Sequence, residues 1–165
     1  MAKYSHLLVG FESTMKGLNV ELEKIKGRCN AGLIEAAILI RRSTETTPPL
    51  TPVDTGNLRA SWFVTTAKSN VAESETGSFK GKTAANMRSE HTRVITESKS
   101  LIAANLSRKG EFIVIGYSAN YALFVHEMLG AAFQRPQAGP KWFQAALERN
   151  RGEIVRKVAE RARIR

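Results

Sequence analysis

A chain of 165 residues is long enough for one domain with a modest core, and a hydrophobic share of 42% places it with globular rather than disordered proteins. No apolar run approaches the roughly 20 residues needed to span a bilayer, MAKYSHLLVGFE lacks the pattern of a secretory signal, and the single Cys29 excludes an intrachain disulfide and a cysteine-rich zinc site. The net charge of +10 is concentrated at the end of the chain, where residues 135–165 hold 9 basic groups against 3 acidic ones, a field that attracts polyanions or an acidic protein surface.

Taken in chain order, Tyr4 to Glu12 is a short apolar run that fits an edge strand. Ser13 and Thr14 then offer a helix cap, and Met15, Leu18, Leu22, Ile25 and Cys29 follow at spacings of three or four, on one helical face. Cys29 reads there as a small buried apolar residue. Gly27 weakens the pattern; the stripe resumes with Leu33, Ala37 and Ile40, alongside Ile34 and Ile38. Two successive helices or one bent helix fit equally well. Pro48, Pro49 and Pro52 stop the run, because each removes an amide donor and restricts the residue before it.

The stretch LTPVDTGNLRASW, from Leu50 to Trp62, reads as a corner between helix and sheet. A short carboxylate at Asp54 suits an Asx-turn or cap, Gly56 tolerates backbone angles closed to other residues, and a single helical turn would carry Leu58 inward. Trp62 to Thr66 is aromatic and β-branched, hence a strand. Residues 67–93 are polar and hold a single aromatic, Phe79, so a long exposed loop or arm is expected. Thr96 would cap a short helix through Ser107, with Leu101, Ile102 and Leu106 on its apolar side.

A turn at Lys109-Gly110 precedes a strand from Glu111 to Tyr117. Tyr121 to Leu129 is strand or short helix; periodicity does not decide. Arg135 to Pro140 is an irregular loop, with Pro140 suited to the first helical position. The last element, residues 140–163, is an amphipathic basic helix: Trp142, Phe143, Ala146, Leu147, Ile154, Val155 and Val158 form the stripe, and Arg149, Arg151, Arg156, Lys157, Arg161 and Arg163 surround it.

Chemistry-bearing patterns are sparse. No glycine-rich phosphate loop appears, nor any zinc or calcium ligand spacing, so no cofactor or metal is expected. His6, His91 and His126 lie far apart, and no second ionisable residue accompanies Asp54 nearby, so no catalytic residue is assigned and the chain reads as a non-enzyme. The composition suits a cytosolic chain.

Three segments in order resemble a known family, the neck proteins of tailed bacteriophages (the tail-completion, tail-terminator or head–tail joining group). The first is the corner Pro52 to Ser61, with Pro52, Asp54, Thr55, Gly56, Leu58 and Arg59 matching Pro-Val-Asp-Thr-Gly-x-Leu-Arg-x-Ser. The second is Tyr121-Ala122 followed by Glu127, where Met128-Leu129-Gly130 departs from the family's earlier glycine. The third is Pro136-Gln137-Ala138-Gly139-Pro140, which carries an extra Gln137.

What the resemblance implies is an α+β fold: a long N-terminal helix and a C-terminal helix packed on a small antiparallel sheet, as a single head–tail joining domain over residues 1–165. It further implies a virion protein, made in the host cytoplasm, that forms a hexameric or dodecameric ring between connector or stopper and tail-tube proteins, with genomic DNA passing through without sequence readout. The loop at 67–93 would reach a neighbouring subunit. A membrane role is not implied. Two other classes stand beside this one: a basic nucleic-acid-binding module acting through Arg149, Arg151, Arg156, Lys157 and Arg161, and a small hydrolase using Asp54 or His126.

Overall fold

A computed structural model describes residues 5–66 and 78–163. The chain is α+β. Helix α1, Ser5–Thr46, is followed by the one-turn helix α2, Asn57–Ala60, and strand β1, Trp62–Thr65. Helix α3, Ala84–Lys109, leads to strand β2, Val114–Tyr117, then short α4, Ala122–Glu127, and α5, Trp142–Ala162.

The expected edge strand at Tyr4 to Glu12 is replaced by helix from Ser5 onward, which places Ser13 and Thr14 inside α1 rather than at its cap. Gly27 does not divide it: α1 is one helix of 42 residues, about 63 Å at 1.5 Å per residue. It ends just before Pro48, where the missing amide donors stop it. The packed face runs through Ala36, Ala37 and Ile40, whereas Ile38 is half exposed and Cys29 only partly buried.

Strands β1 and β2 pair antiparallel, with Trp62 opposite Tyr117 and Thr65 opposite Val114. The second strand is shorter than expected, since Glu111 to Ile113 precede it as irregular backbone. One core cluster joins the three layers: Ala37 and Ile40 from α1, Trp62 and Val64 from β1, and Ala146 from α5. Trp62 meets Tyr117 and Phe143 edge-on at 5.3 and 5.9 Å, the offset geometry aromatic quadrupoles favour. α1 and α5 run antiparallel in close contact. At Gly32 an added Cβ would lie 3.0 Å from the backbone of Val158, so a side chain there would push the two helices apart by a few tenths of an ångström.

The exposed loop expected at 67–93 is corrected over the part the structure describes; residues 67–77 lie outside it. Phe79 is buried, its ring 5.7 Å from that of His91, and α3 begins at Ala84, well before Thr96. The helix was hidden because its inward face is mostly small or polar: among the described residues Ala84, His91 and Ser98 are buried there, with Ile102 the one large apolar side chain. Leu101 is exposed instead. Pro140 lies two residues before α5; Lys141, in the left-handed region at φ 57°, caps the helix.

Candidate functional site

The corner after α1 is assembled from several distant segments. Thr51 donates its amide to Thr44 O at 2.9 Å, and its hydroxyl lies 3.1 Å from the Tyr117 hydroxyl. Leu50 exchanges backbone hydrogen bonds with the Pro/Gly loop, accepting from Gly139 and donating to Gln137. Arg135 in that loop donates to Glu45 O and Thr51 O, both at 2.9 Å, and so satisfies a carbonyl at the end of α1. Arg149 on α5 donates to Ser43 Oγ at 3.0 Å and to the Pro48 carbonyl, which fastens α5 to the same helix end. A cation there also suits the negative end of the helix dipole.

Glu45 is the hub of this corner, and nothing in the sequence singled it out. Its carboxylate meets Arg41 at 3.3 Å, Arg59 at 2.9 Å and Arg135 at 2.9 Å, with only 15% of the side chain exposed. Three guanidiniums around one half-enclosed carboxylate hold α1, the corner and the Pro/Gly loop together. Arg41 is one helical turn away on α1, but Arg59 and Arg135 lie far along the chain, so no local pattern could reveal the hub.

Within the motif, Gly56 has φ 88°, as the turn requires, and a Cβ there would be strained by the backbone angle alone. Leu58 is buried with Ala119, Ala122 and Trp142, so Leu58 and Ala122, drawn from two separate sequence motifs, pack in one cluster. Asn57 clasps the backbone of Lys80, donating to its carbonyl at 3.0 Å and accepting from its amide at 2.8 Å. Pro52 is buried and Arg59 turns back to Glu45.

The capping role expected for Asp54 is not found. Asp54 is exposed and makes no hydrogen bond or ion pair among the described residues. The cap position falls on Gly56, with no side-chain hydrogen bond, and Thr55 Oγ1 accepts only a long 3.4 Å bond from Asn57 N.

Asp54 instead borders a cleft of about 380 Å³ between the corner and the segment after β2. Tyr121, Val125, Met128 and Phe133 line the opposite wall. Partial burial, and then the negative charge of Asp54, raise the Tyr121 pKa above its ordinary value and keep the phenol a neutral donor. Beside the cleft, Leu123, Phe124 and Leu129 are 71%, 68% and 74% exposed. Such a grouping of large apolar side chains in water is the mark of a surface that meets another molecule.

Within Tyr121 to Leu129 the helical alternative holds over Ala122–Glu127, and His126 Nδ1 lies 2.8 Å from Glu127 Oε1. Glu127 also pairs with Lys141, and the Lys141 amide donates to His126 O at 2.8 Å. The hydrogen bond from Lys141, then that with His126, lowers the Glu127 pKa. Glu127 therefore pins α4 to the start of α5. His91 is buried away from the cleft, its Nδ1 2.6 Å from Ser118 Oγ, and burial lowers its pKa.

The basic residues of α5 divide. Arg149 is committed to the α1 terminus, as described. Arg156 pairs with Glu153 and Glu160, Lys157 lies 3.8 Å from Glu153, and Arg161 pairs across the helix interface with Glu35. Arg151 is exposed, and no carboxylate pairs with it among the described residues. No group of three or more His, Cys, Asp or Glu side chains among the described residues could hold a metal ion. No described helix is long and apolar enough to cross a membrane. In comparisons with known proteins, no family model, curated protein or solved structure matches the chain.

Proposed function

We propose that the chain is a structural, non-enzymatic protein of a tailed-bacteriophage neck, a tail-completion or tail-terminator subunit that joins with copies of itself into a ring of six or twelve. In that role it lies between connector or stopper and tail-tube proteins, and genomic DNA passes without base readout. The observation that carries the proposal is the cleft, where two of the family-like segments meet. Pro52 to Leu58 form one wall and Tyr121 the other, next to the exposed Leu123, Phe124 and Leu129. A rigid corner flanked by uncovered apolar side chains suits a subunit interface more than a reaction centre. Among the described residues the ionisable side chains lining the cleft are Asp54 and Tyr121, and neither is hydrogen-bonded to a base that would activate it.

A ring requires two different complementary patches per subunit, repeated by rotation until they close. The test is electron microscopy of the purified chain, alone and mixed with connector and tail-tube proteins. Ring-shaped particles and recovery of the chain in the virion neck are expected. A strictly monomeric state in every mixture, or turnover of a substrate that Asp54→Asn abolishes, would overturn the proposal.

The second reading, a free nucleic-acid-binding module, is favoured by the net charge of +10 and by exposed Arg151. Against it, Arg156, Lys157 and Arg161 already face carboxylates, which lowers the field available to phosphate. Duplex binding that weakens steeply with salt, and that is lost on charge reversal at Arg151 and Arg156, is what this reading demands.

A further inference from the structure

Every residue from Glu12 to Lys24 is exposed, so the amino-terminal part of α1 stands clear of the body as an arm. Yet it is amphipathic. Met15, Leu18, Leu22 and Ile25 are spaced by three, four and three, and Cys29 and Gly32 continue the alternation into the packed half of the same helix. Gly32 lies against Val158 and Arg161 of α5, so the stripe on the arm prolongs the face that α5 covers farther along. Helix α5 stops at Ala162, with Arg161 beside Glu35, and among the described residues the outer stripe is left without a cover. Met15, Leu18 and Leu22 are 40%, 53% and 44% exposed.

A helix in this position is poorly supported by its own chain. Gly17 and Gly27 each cost roughly 1 kcal/mol of helix stability relative to alanine, and short isolated helices are marginal in water. Burial of the stripe is the stabilising term that is missing. Written as heptads with Met15 and Leu22 at a and Leu18 and Ile25 at d, both glycines fall on the outer c and f positions. The flanking positions then identify the cover. Glu21 occupies g and Lys26 the following e, the pair of sites that face one another across a parallel two-helix coil; in the single chain they pair with Lys24 and Glu23, exposed pairs of small worth that can be exchanged on association. The antiparallel register that stacks the same four layers sets Glu21 against Glu21.

We propose that the arm of α1, from Glu12 to Arg28, pairs in parallel with the same arm of a second copy of this chain. Leu18 and Leu22 meet their counterparts in successive layers, and Glu21 of each copy faces Lys26 of the other. Beyond Cys29 each copy's own α5 takes over the stripe and the two bodies diverge.

Sedimentation equilibrium of the full chain from micromolar to near-millimolar concentration measures the pairing. Association is expected for the native sequence and loss of about 100-fold or more in affinity for Leu18→Glu combined with Leu22→Glu, whose sites lie outside the body. Glu21→Lys should weaken pairing, and adding Lys26→Glu should restore it. In a Cys29→Ser background, Leu18→Cys should cross-link to itself on mild oxidation. A chain that stays monomeric, association indifferent to the two glutamates, or cross-linking of Leu18→Cys only to Leu22→Cys would each overturn the proposal. The outcome is separable from the neck proposal. Rings whose arms stay single would remove the pairing alone, and paired arms in a protein missing from virions would remove the neck assignment alone.

Discussion

From Cys29 to Thr46, α1 lies against α5 and the sheet, and Ala37 and Ile40 there are 0% and 3% exposed. From Glu12 to Lys24 the same helix, with the same apolar spacing, is open to solvent on all sides. Periodicity specifies which face a helix will bury, but a second element has to supply the surface that buries it. α5 ends at Ala162 and supplies that surface to only one half. An amphipathic stripe on a single chain is therefore a request for a partner as readily as a record of a core.

The sharpest way to break this contrast is to truncate equivalent positions. Ile40→Ala should cost about 2–5 kcal/mol in urea unfolding, because the cavity lies among Trp62, Val64 and Ala146. Leu18→Ala, measured on monomer, should stay within about 0.5 kcal/mol, since its side chain is already in water. Comparable losses at the two sites would mean that the arm packs on its own body.

Glycines offer the next test. Gly32→Val should destabilise by about 1–3 kcal/mol, because the new side chain meets the α5 backbone at Val158. Gly27→Ala, with no neighbour within 4 Å, should raise helix content and stabilise the arm by about 1 kcal/mol, read by circular dichroism.

The smallest effect belongs to the body alone. His91 has its pKa lowered by burial, so below the unfolded-state value near 6.5 the unfolded chain binds more protons than the folded one. Stability should therefore be full above that pH and fall as the pH drops toward and through the folded value. His91→Gln should flatten this slope in thermal melts between pH 5 and 7, while arm pairing should not follow it.

Where the sequence could be read, a local rule governed the outcome. The strand at Trp62, the turn at Gly56 and the inward Leu58 follow from residue type within a few positions. α3 escaped because His91 and Ser98 occupy core-facing positions that a hydrophobicity pattern scores as polar. Tyr4 to Glu12 misled because a short apolar run fits either periodicity, and the long helix behind it decided the matter. The cleft was half legible: both walls stood out as motifs, yet the approach of Asp54 to Tyr121 across 67 positions is a product of the fold. Asp54 was misassigned as a cap because the left-handed Gly56 makes the turn unaided.

The unbroken course of α1 has a mechanical meaning. Its stretch from Glu12 to Lys24 stands in solvent, and its inner end is bolted at Glu45 by two guanidiniums, Arg59 of the corner and Arg135 of the loop. A rod with no joint along about 63 Å converts a small swing at its tip into a turning force at its root. Whatever grips the tip thereby has leverage on the Pro52 to Leu58 wall without touching it.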